Sequence, residues 1–284
     1  MKTVLETIRS GTPWLEKAGV ENPRLNMEHL LAKVLGCRRM DLYTNFDRHL
    51  DEDQLAPLRD LLKRRGKREP LQHLLGSVEF MRHEFKCDAR ALIPRPETEE
   101  LVEKILAECK GEGVAPPTEI LDMGAGSGVI GLSLALAFPE ARVVLADVSP
   151  DALALAQENA DALGLDGRVE FVQSDLFSAL AGRRFDIISA NLPYIAAAEI
   201  LTLSAEVQRD PVLALDGGPL GTELIEQFLA SVTQHLSLSG FVALEVGAGQ
   251  TTALAEIMRR IPLRDVRAAN DLSRHDRFLF GRMV

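Results

Sequence analysis

The sequence predicts an α/β fold, a largely parallel sheet covered by helices on both faces and carried behind a small helical bundle. Three observations predict it. From Glu97 onward, short apolar runs alternate with helix-length amphipathic stretches, the pattern of a parallel sheet. The run Glu119-Ile120-Leu121-Asp122-Met123 passes straight into the glycine-rich turn Gly124-Ala125-Gly126-Ser127-Gly128, as a strand entering a tight corner would. Residues 1–75, by contrast, carry only helical periodicity.

In that first segment Val4, Leu5 and Ile8 share one helical face, as do Leu30, Leu31, Val34 and Leu35, and Leu55, Leu58, Leu61 and Leu62. Asp51 followed by Gln54 has the form of a capping box, and Pro23 suits a first helical turn. No strand is expected there, and Trp14 is assigned to the bundle core. Val78 to Cys87 reads as two short strands about a turn, so residues 76–93 are expected to form a β-hairpin linker. The α/β domain then occupies 94–284. A helix over 97–109 leads to the Gly/Pro-rich link Gly111-Glu112-Gly113-Val114-Ala115-Pro116-Pro117. Strands are predicted at 119–123, 142–147, 168–173, 185–190, 240–246, 263–268 and 277–281. Helices are predicted at 128–138, 150–163, 221–236 and 250–260. Ser149 before Pro150 is a good start for one of them.

Composition bounds the function. Apolar residues make up 46% and charged residues 26% of the 284, as in an ordinary globular protein. No run approaches a membrane span, and the start lacks a signal-peptide core. Cys37, Cys87 and Cys109 form neither a metal spacing nor a disulfide framework, so a reducing cytoplasm is expected. The six histidines form no ligand spacing either, so no metal is expected. Net charge is −10 and unevenly spread: residues 1–75 hold 14 Lys/Arg against 11 Asp/Glu, and the remainder 18 against 31. An acidic body argues against a protein that tracks naked DNA, whose affinity comes from neutralising phosphates.

The chemistry-bearing residues gather at predicted strand ends. Residues 126–131 satisfy the dinucleotide pattern G-x-G-x-x-G, which alone is weak. Asp122, just before the turn, would repel a pyrophosphate but suits the ammonium-bearing end of S-adenosylmethionine. Asp147, ending the second strand, can accept from ribose hydroxyls. Asp175 and Leu176, after the third, are placed to meet an adenine. Asn191-Leu192-Pro193-Tyr194 follows the fourth. There the Asn191 side-chain oxygen and the Leu192 carbonyl can each accept one N–H of a planar amino group. Pro193 biases Leu192 to extended geometry, and the Tyr194 ring would supply a flat wall. Carboxylates and an amide at successive strand ends define a ligand crevice in an open α/β sheet.

Taken in order, Arg68 to Gly76, Leu92-Ile93-Pro94-Arg95-Pro96-Glu97-Thr98-Glu99, Asp122 to Gly128 and Asn191 to Tyr194 resemble the peptide chain release factor glutamine methyltransferases, the PrmC/HemK type. The resemblance implies a class I S-adenosylmethionine-dependent, Rossmann-like domain whose seven-stranded sheet ends in an antiparallel strand. It implies an N-terminal bundle that helps to hold the release factor. It also implies methylation of the side-chain nitrogen of the glutamine in that factor's Gly-Gly-Gln loop. Gly124, Ala125, Gly126, Ser127, Gly128, Asp147, Leu176 and Asn191 would contact S-adenosyl-L-methionine, while Asn191 to Tyr194 would hold the glutamine. Two departures stand out. Leu192 replaces the first of two prolines usual in the motif, and position 176, often aromatic in relatives, is leucine.

A cytoplasmic monomer with release factors as partners, binding neither nucleic acid nor membrane, follows from this reading. The alternatives are a methyltransferase for a ribosomal-protein glutamine, an adenine amino-methyltransferase, a donor-binding regulator with a dead site, and a nicotinamide oxidoreductase. The cluster Lys63-Arg64-Arg65-Gly66-Lys67-Arg68 reads as cations at a helix C-terminus, or as a contact to the factor. Arg95 and Glu97 read as a rigid linker and helix start or as a border of the site.

Overall fold

The computed structural model describes residues 2–110 and 115–284; of the Gly/Pro-rich link, residues 111–114 lie outside them. The chain divides into two compact units, Met1–Val78 with Ser204–Arg209, and Glu79–Leu203 with Asp210–Val284.

The first unit contains β1 (Lys2–Thr3), α1 (Val4–Lys17), α2 (Pro23–Leu35), β2 (His49–Leu50), α3 (Glu52–Gly66) and α4 (Leu71–Leu75). Capping boxes start α1, from Thr3 and Glu6, and α3, from Asp51 and Gln54; Pro23 opens α2. Val4, Ile8, Leu15, Met27, Leu30, Leu31 and Leu58 fill its core. Two expectations fail here. β1 and β2 pair antiparallel through Lys2 with Leu50 and Thr3 with His49, a bridge too short to leave a period in the sequence. Trp14 is 45% exposed and lies over Gly66, where any side chain would collide with its ring.

The basic cluster is largely consumed within this unit. Buried Arg65 donates to Asn26 Oδ1 at 2.7 Å, to the Glu69 carbonyl at 3.0 Å and to Glu206 Oε1 at 2.9 Å. Arg68 donates to both Glu206 oxygens at 2.6 Å, and Arg64 pairs with Glu69. Burial pushes the Glu206 carboxyl up, but the hydrogen bonds from Arg68 and Arg65 outweigh it and hold it at about 2. Glu206 therefore ties 204–209 to the first unit, although a division at residue 94 assigns that segment to the later domain.

A hairpin, β3 (Ser77–Phe80) and β4 (His83–Lys86), turns through Met81 (φ 48°) and Arg82 (φ 65°), both left-handed as a type I′ turn requires. The second unit continues with α5 (Pro96–Glu108), β5 (Glu119–Met123), α6 (Val129–Ala137), β6 (Arg142–Asp147), α7 (Pro150–Ala162), β7 (Val169–Gln173) and β8 (Phe185–Asn191). Three 3₁₀ turns between 197 and 214 follow in the chain, the middle one (Val207–Arg209) belonging to the first unit, a stretch for which the sequence predicts no element. Then come α8 (Glu223–Val232), β9 (Leu236–Glu245), α9 (Thr251–Arg260), β10 (Leu263–Asn270) and β11 (Asp276–Met283). The helix predicted to reach 236 stops at Val232, because Leu236 pairs with Phe185 and begins a strand with an irregular register.

Seven strands lie in the order β10-β11-β9-β8-β5-β6-β7. β5, β6, β7, β8 and β9 run parallel, and β11 pairs antiparallel with both β9 and β10. This is the mixed seven-stranded sheet, with its last strand reversed, that the resemblance implies. Phe185, Ile188, Phe228, Val242, Leu254 and Leu279 belong to one core layer. Among the described residues no helix is long and apolar enough to cross a membrane, and no cluster of three or more His, Cys, Asp or Glu could hold a metal.

Candidate active site

From β5 the chain moves outward through β6 and β7 on one side of the sheet, then returns to build β8 and β9 on the other. The loops after β5 and β8 therefore leave in opposite directions, and a crevice opens at the strand ends between them. A cavity of about 730 Å³ lies there.

Its floor is the glycine turn. Gly124 (φ 69°) and Gly126 (φ 55°) adopt left-handed backbone, and the Gly124 and Ala125 N–H groups both donate to the Ala146 carbonyl, at 2.8 and 3.1 Å. Asp147 Oδ2 accepts from Gly126 N–H and Oδ1 from Ser149 N–H, both at 2.8 Å. Each oxygen keeps a second lone pair for a ligand hydroxyl. Burial raises the Asp147 pKa, against the Ser149, Gly126 and Val148 backbone donors that lower it. Asp147, Asp175 and Leu176 all line the cavity. Leu176 sits at φ 44°, a strained conformation for leucine, and its carbonyl accepts from Ser174 Oγ at 2.6 Å.

Asp122 and Gly128 do not reach the cavity. The Asp122 carboxylate is buried, accepting from Gly131 N–H at 2.9 Å and from Ser189 Oγ at 3.0 Å. It caps the third residue of α6 from below, a helix whose own first residue has no capping side chain. Burial pushes its carboxyl up to about 7. Gly128 (φ 83°) is buried where a Cβ would stand 3.0–3.1 Å from Leu132, Ala156 and Leu145 side chains, so it permits close helix-to-sheet packing. Asp122→Ala leaves the buried Gly131 N–H unpaired and should cost about 1–2 kcal/mol. For a chain of this size that is a fall in Tm of roughly 2–8 °C. An unchanged melting curve would contradict the capping role.

On the opposite lip, Asn191 ends β8, and Asn191, Leu192 and Pro193 line the cavity. A Cβ on Gly124 would lie 2.9 Å from Leu192 Cδ2 and 3.8 Å from the Asn191 carbonyl, so the turn and this motif touch. Tyr194 behaves differently. Its ring packs against the apolar layer beneath the sheet and does not line the cavity, so the flat wall expected of it is not formed. The backbone just after the motif is clamped by 215–218. Ile195 N–H donates to the Leu215 carbonyl, Gly217 N–H to the Ile195 carbonyl, and Ala197 N–H to the Gly218 carbonyl, at 2.9–3.0 Å.

Two residues that sequence reasoning did not single out complete this lip. Asn191 Nδ2 donates to Thr98 Oγ1 at 3.2 Å, and Thr98 Oγ1 donates to Glu245 Oε2 at 2.8 Å. Glu245 lies directly beside Asn191 in the sheet register. Pro94 and Thr98 line the cavity, but Arg95 turns away to Asp210 at 2.8 Å and Glu97 is not in the wall. Burial pushes the Asp210 carboxyl up to about 6, opposed by Arg95.

Comparison with known proteins fits this arrangement. Residues 6–76 match the PrmC N-terminal domain, and residues 100–209 match the methyltransferase small domain. A release factor glutamine methyltransferase of Geobacter sulfurreducens is 39% identical over 287 aligned residues, 99% of each chain. The chain belongs to the release factor glutamine methyltransferase family. One of Rhodopirellula baltica is 38% identical over 98% of this chain and 95% of its own. Among solved structures, a Thermus thermophilus 16S rRNA guanine methyltransferase superposes with a TM-score of 0.52 at 21% identity, covering 73% of this chain and 50% of that one. A Pyrococcus furiosus methyltransferase gives 0.52 at 16% identity, covering 70% and 87%. Both likenesses establish the fold. The Leu192 side chain is buried in the core layer and lies against Gly124.

Proposed function

We propose that the protein transfers a methyl group from S-adenosylmethionine to the side-chain amide nitrogen of a release factor glutamine, the one in its Gly-Gly-Gln loop. The observation that carries this reading is the contact of the glycine turn with the Asn191-Leu192-Pro193 lip inside one cavity. A donor seated on the turn and a carboxamide held by the lip would then be neighbours.

The residues present fit the donor. The open lone pairs of Asp147 suit ribose hydroxyls, the side-chain-free Gly124 and Gly126 allow close backbone approach, and exposed Asp175 with apolar Leu176 suits an adenine edge and face. When bound, S-adenosylmethionine supplies an electrophilic methyl carbon on a sulfonium. An amide nitrogen is a poor nucleophile because its lone pair is delocalised into the carbonyl, so the chain must work by alignment. The Asn191 side-chain oxygen and the Leu192 carbonyl each accept one N–H, aim the nitrogen, and stabilise the positive charge that develops on it. Alignment of this kind can supply roughly 7–11 kcal/mol of a barrier. Preorganised dipoles typically add about 3–4 kcal/mol for a key group. No strong base would be needed at the nitrogen: as the N–C bond forms and the donor's S–CH₃ bond breaks to leave a neutral thioether, the nitrogen would become acidic and lose its proton to water.

Residues 1–75 are assigned to holding the release factor, and a single chain supplies both donor and substrate sites. The compartment is the cytoplasm, where Cys37, Cys87 and Cys109 stay as free thiols. Asp147→Ala should weaken donor binding roughly 10- to 100-fold, the loss of charge-assisted hydrogen bonds. Calorimetry giving the wild-type affinity would contradict the ribose role. The function is tested by incubating the protein with labelled donor and, separately, release factor, ribosomal proteins and DNA, then mapping the label by mass spectrometry. Label on a release factor glutamine is the expected result; label only on another acceptor overturns the proposal.

A further inference from the structure

We infer that Thr98 and Glu245 are positioning residues that fix which face of the Asn191 carboxamide looks into the cavity. This rests on the reading above, that Asn191 accepts an N–H of the substrate amide.

A carboxamide has two nearly isosteric ends, and only its oxygen can accept. Nothing in the shape of asparagine prevents it from turning its NH₂ towards the substrate, where two donors would face each other. The hydrogen bonds around Asn191 remove that freedom. The Thr98 hydroxyl has a single hydrogen, and it is directed to Glu245 Oε2 at 2.8 Å. Towards Asn191 the same oxygen can therefore only accept, and it takes Nδ2 at 3.2 Å. The oxygen of Asn191 is left for the cavity. The Glu245 carboxylate starts this polarity, because an ionised carboxylate accepts and cannot donate.

The geometry carries a consequence for pH. If Glu245 gains a proton, it can donate to Thr98, whose own hydrogen is then free to point at Asn191. The carboxamide can now turn over and present its NH₂ to the substrate. Burial raises the Glu245 pKa to about 7. The groups facing it are Thr98 and Glu97 on α5, Asn191 at the end of β8, Tyr194 in the following loop, and Arg277 on β11. Thr98, Arg277 and Asn191 favour the ionised form, and Glu97 opposes it. Arg277 is shared with Asp271, 3.3 Å away, so it compensates Glu245 only in part. Above the Glu245 pKa the acceptor faces the substrate; below it, that fraction declines.

The test is single-turnover methylation of a release factor at saturating donor, followed from about pH 6 to 9. Donor affinity of every variant is measured by calorimetry to establish folding. The wild-type rate should fall on the acid side with an apparent pKa near 7. Glu245→Gln, which cannot titrate, should lose that acidic limb. Thr98→Val should lose it too and turn over roughly tenfold more slowly, the loss of one orienting hydrogen bond. Thr98→Ser, which keeps the hydroxyl, should restore both. A wild-type rate flat over this range, a limb that survives Glu245→Gln, or a Thr98→Val protein as fast as wild type overturns the inference. So does a Thr98→Ser protein no better than Thr98→Val. Failure of the functional reading is distinct: the wild-type protein would then leave the release factor unlabelled.

Discussion

Asn191→Ala should lower turnover on a release factor by roughly 10²–10³-fold while leaving donor affinity close to wild type. On the proposed function, the alanine removes the side-chain oxygen that would accept one N–H of the substrate amide. The Leu192 carbonyl would still accept the other N–H, leaving the nitrogen held at one point and free to rotate about it. Asp147, with its carboxylate anchored on Gly126 and Ser149, is untouched by this change. The signature is therefore a drop in kcat at constant donor affinity. A variant that methylates within about twofold of wild type would contradict the role, since one key dipole is worth far more.

Gly217→Ala should cost turnover on the order of 10²-fold although residue 217 contributes no functional group. A Cβ there would stand 2.6 Å from the Gly221 carbonyl oxygen, 2.7 Å from the Pro193 carbonyl oxygen and 2.8 Å from Tyr194 Cα. All three are backbone atoms, so no side chain can swing aside to relieve them. Relief of the clashes with Pro193 and Tyr194 requires 193–194 and 217 to separate, which would shift the two acceptors just before them. The hydrogen bonds between Ile195 and both Leu215 and Gly217 pass that shift along the motif. Asp147, held by the Gly126 and Ser149 N–H groups, makes no hydrogen bond to this clamp, so calorimetry should show donor binding largely retained. Wild-type turnover by Gly217→Ala would mean that the lip tolerates displacement, and alignment would lose its place in the account.

Much of the fold was legible because the signals are periodic. Each of the seven strand positions of the sheet, and the helices between them, carries a run long enough to show its period, and Ser149-Pro150 marks a helix start by chemistry. The antiparallel last strand came from the family resemblance, since periodicity does not report direction. What failed was short or tertiary. The β1–β2 bridge has two residues a side, and the 3₁₀ turns over 197–214 have no period to detect. Trp14 was placed inside on hydrophobicity alone, whereas Gly66 offers it a surface shelf.

The site divides in the same way. Asp147, Asp175, Leu176 and Asn191 line the cavity because strand ends in such a sheet face the crevice. Asp122 and Gly128 were misplaced for a related reason. Alternation along a strand sends neighbouring residues to opposite faces, and Asp122 points beneath α6 to cap it. Gly128 serves the packing of that helix. Tyr194 was given the wall on ring chemistry, but its neighbours pull the ring into the core layer. Thr98 and Glu245 could not be read in advance, because they meet Asn191 across 93 residues and across a strand pairing. The sequence signal that bears on Thr98 is its place within Leu92 to Glu99, one of the stretches that carry the family resemblance.

The central claim is that two oxygens at the end of β8 grip a carboxamide beside the donor's sulfur. A crystal structure of the protein with S-adenosylhomocysteine and a glutamine-containing release factor peptide tests it most directly. The account predicts Asn191 Oδ1 and the Leu192 carbonyl oxygen each about 2.7–3.2 Å from the glutamine amide nitrogen, with that nitrogen facing the sulfur. Asn191 turned away from the sulfur, or a glutamine seated elsewhere, would contradict it.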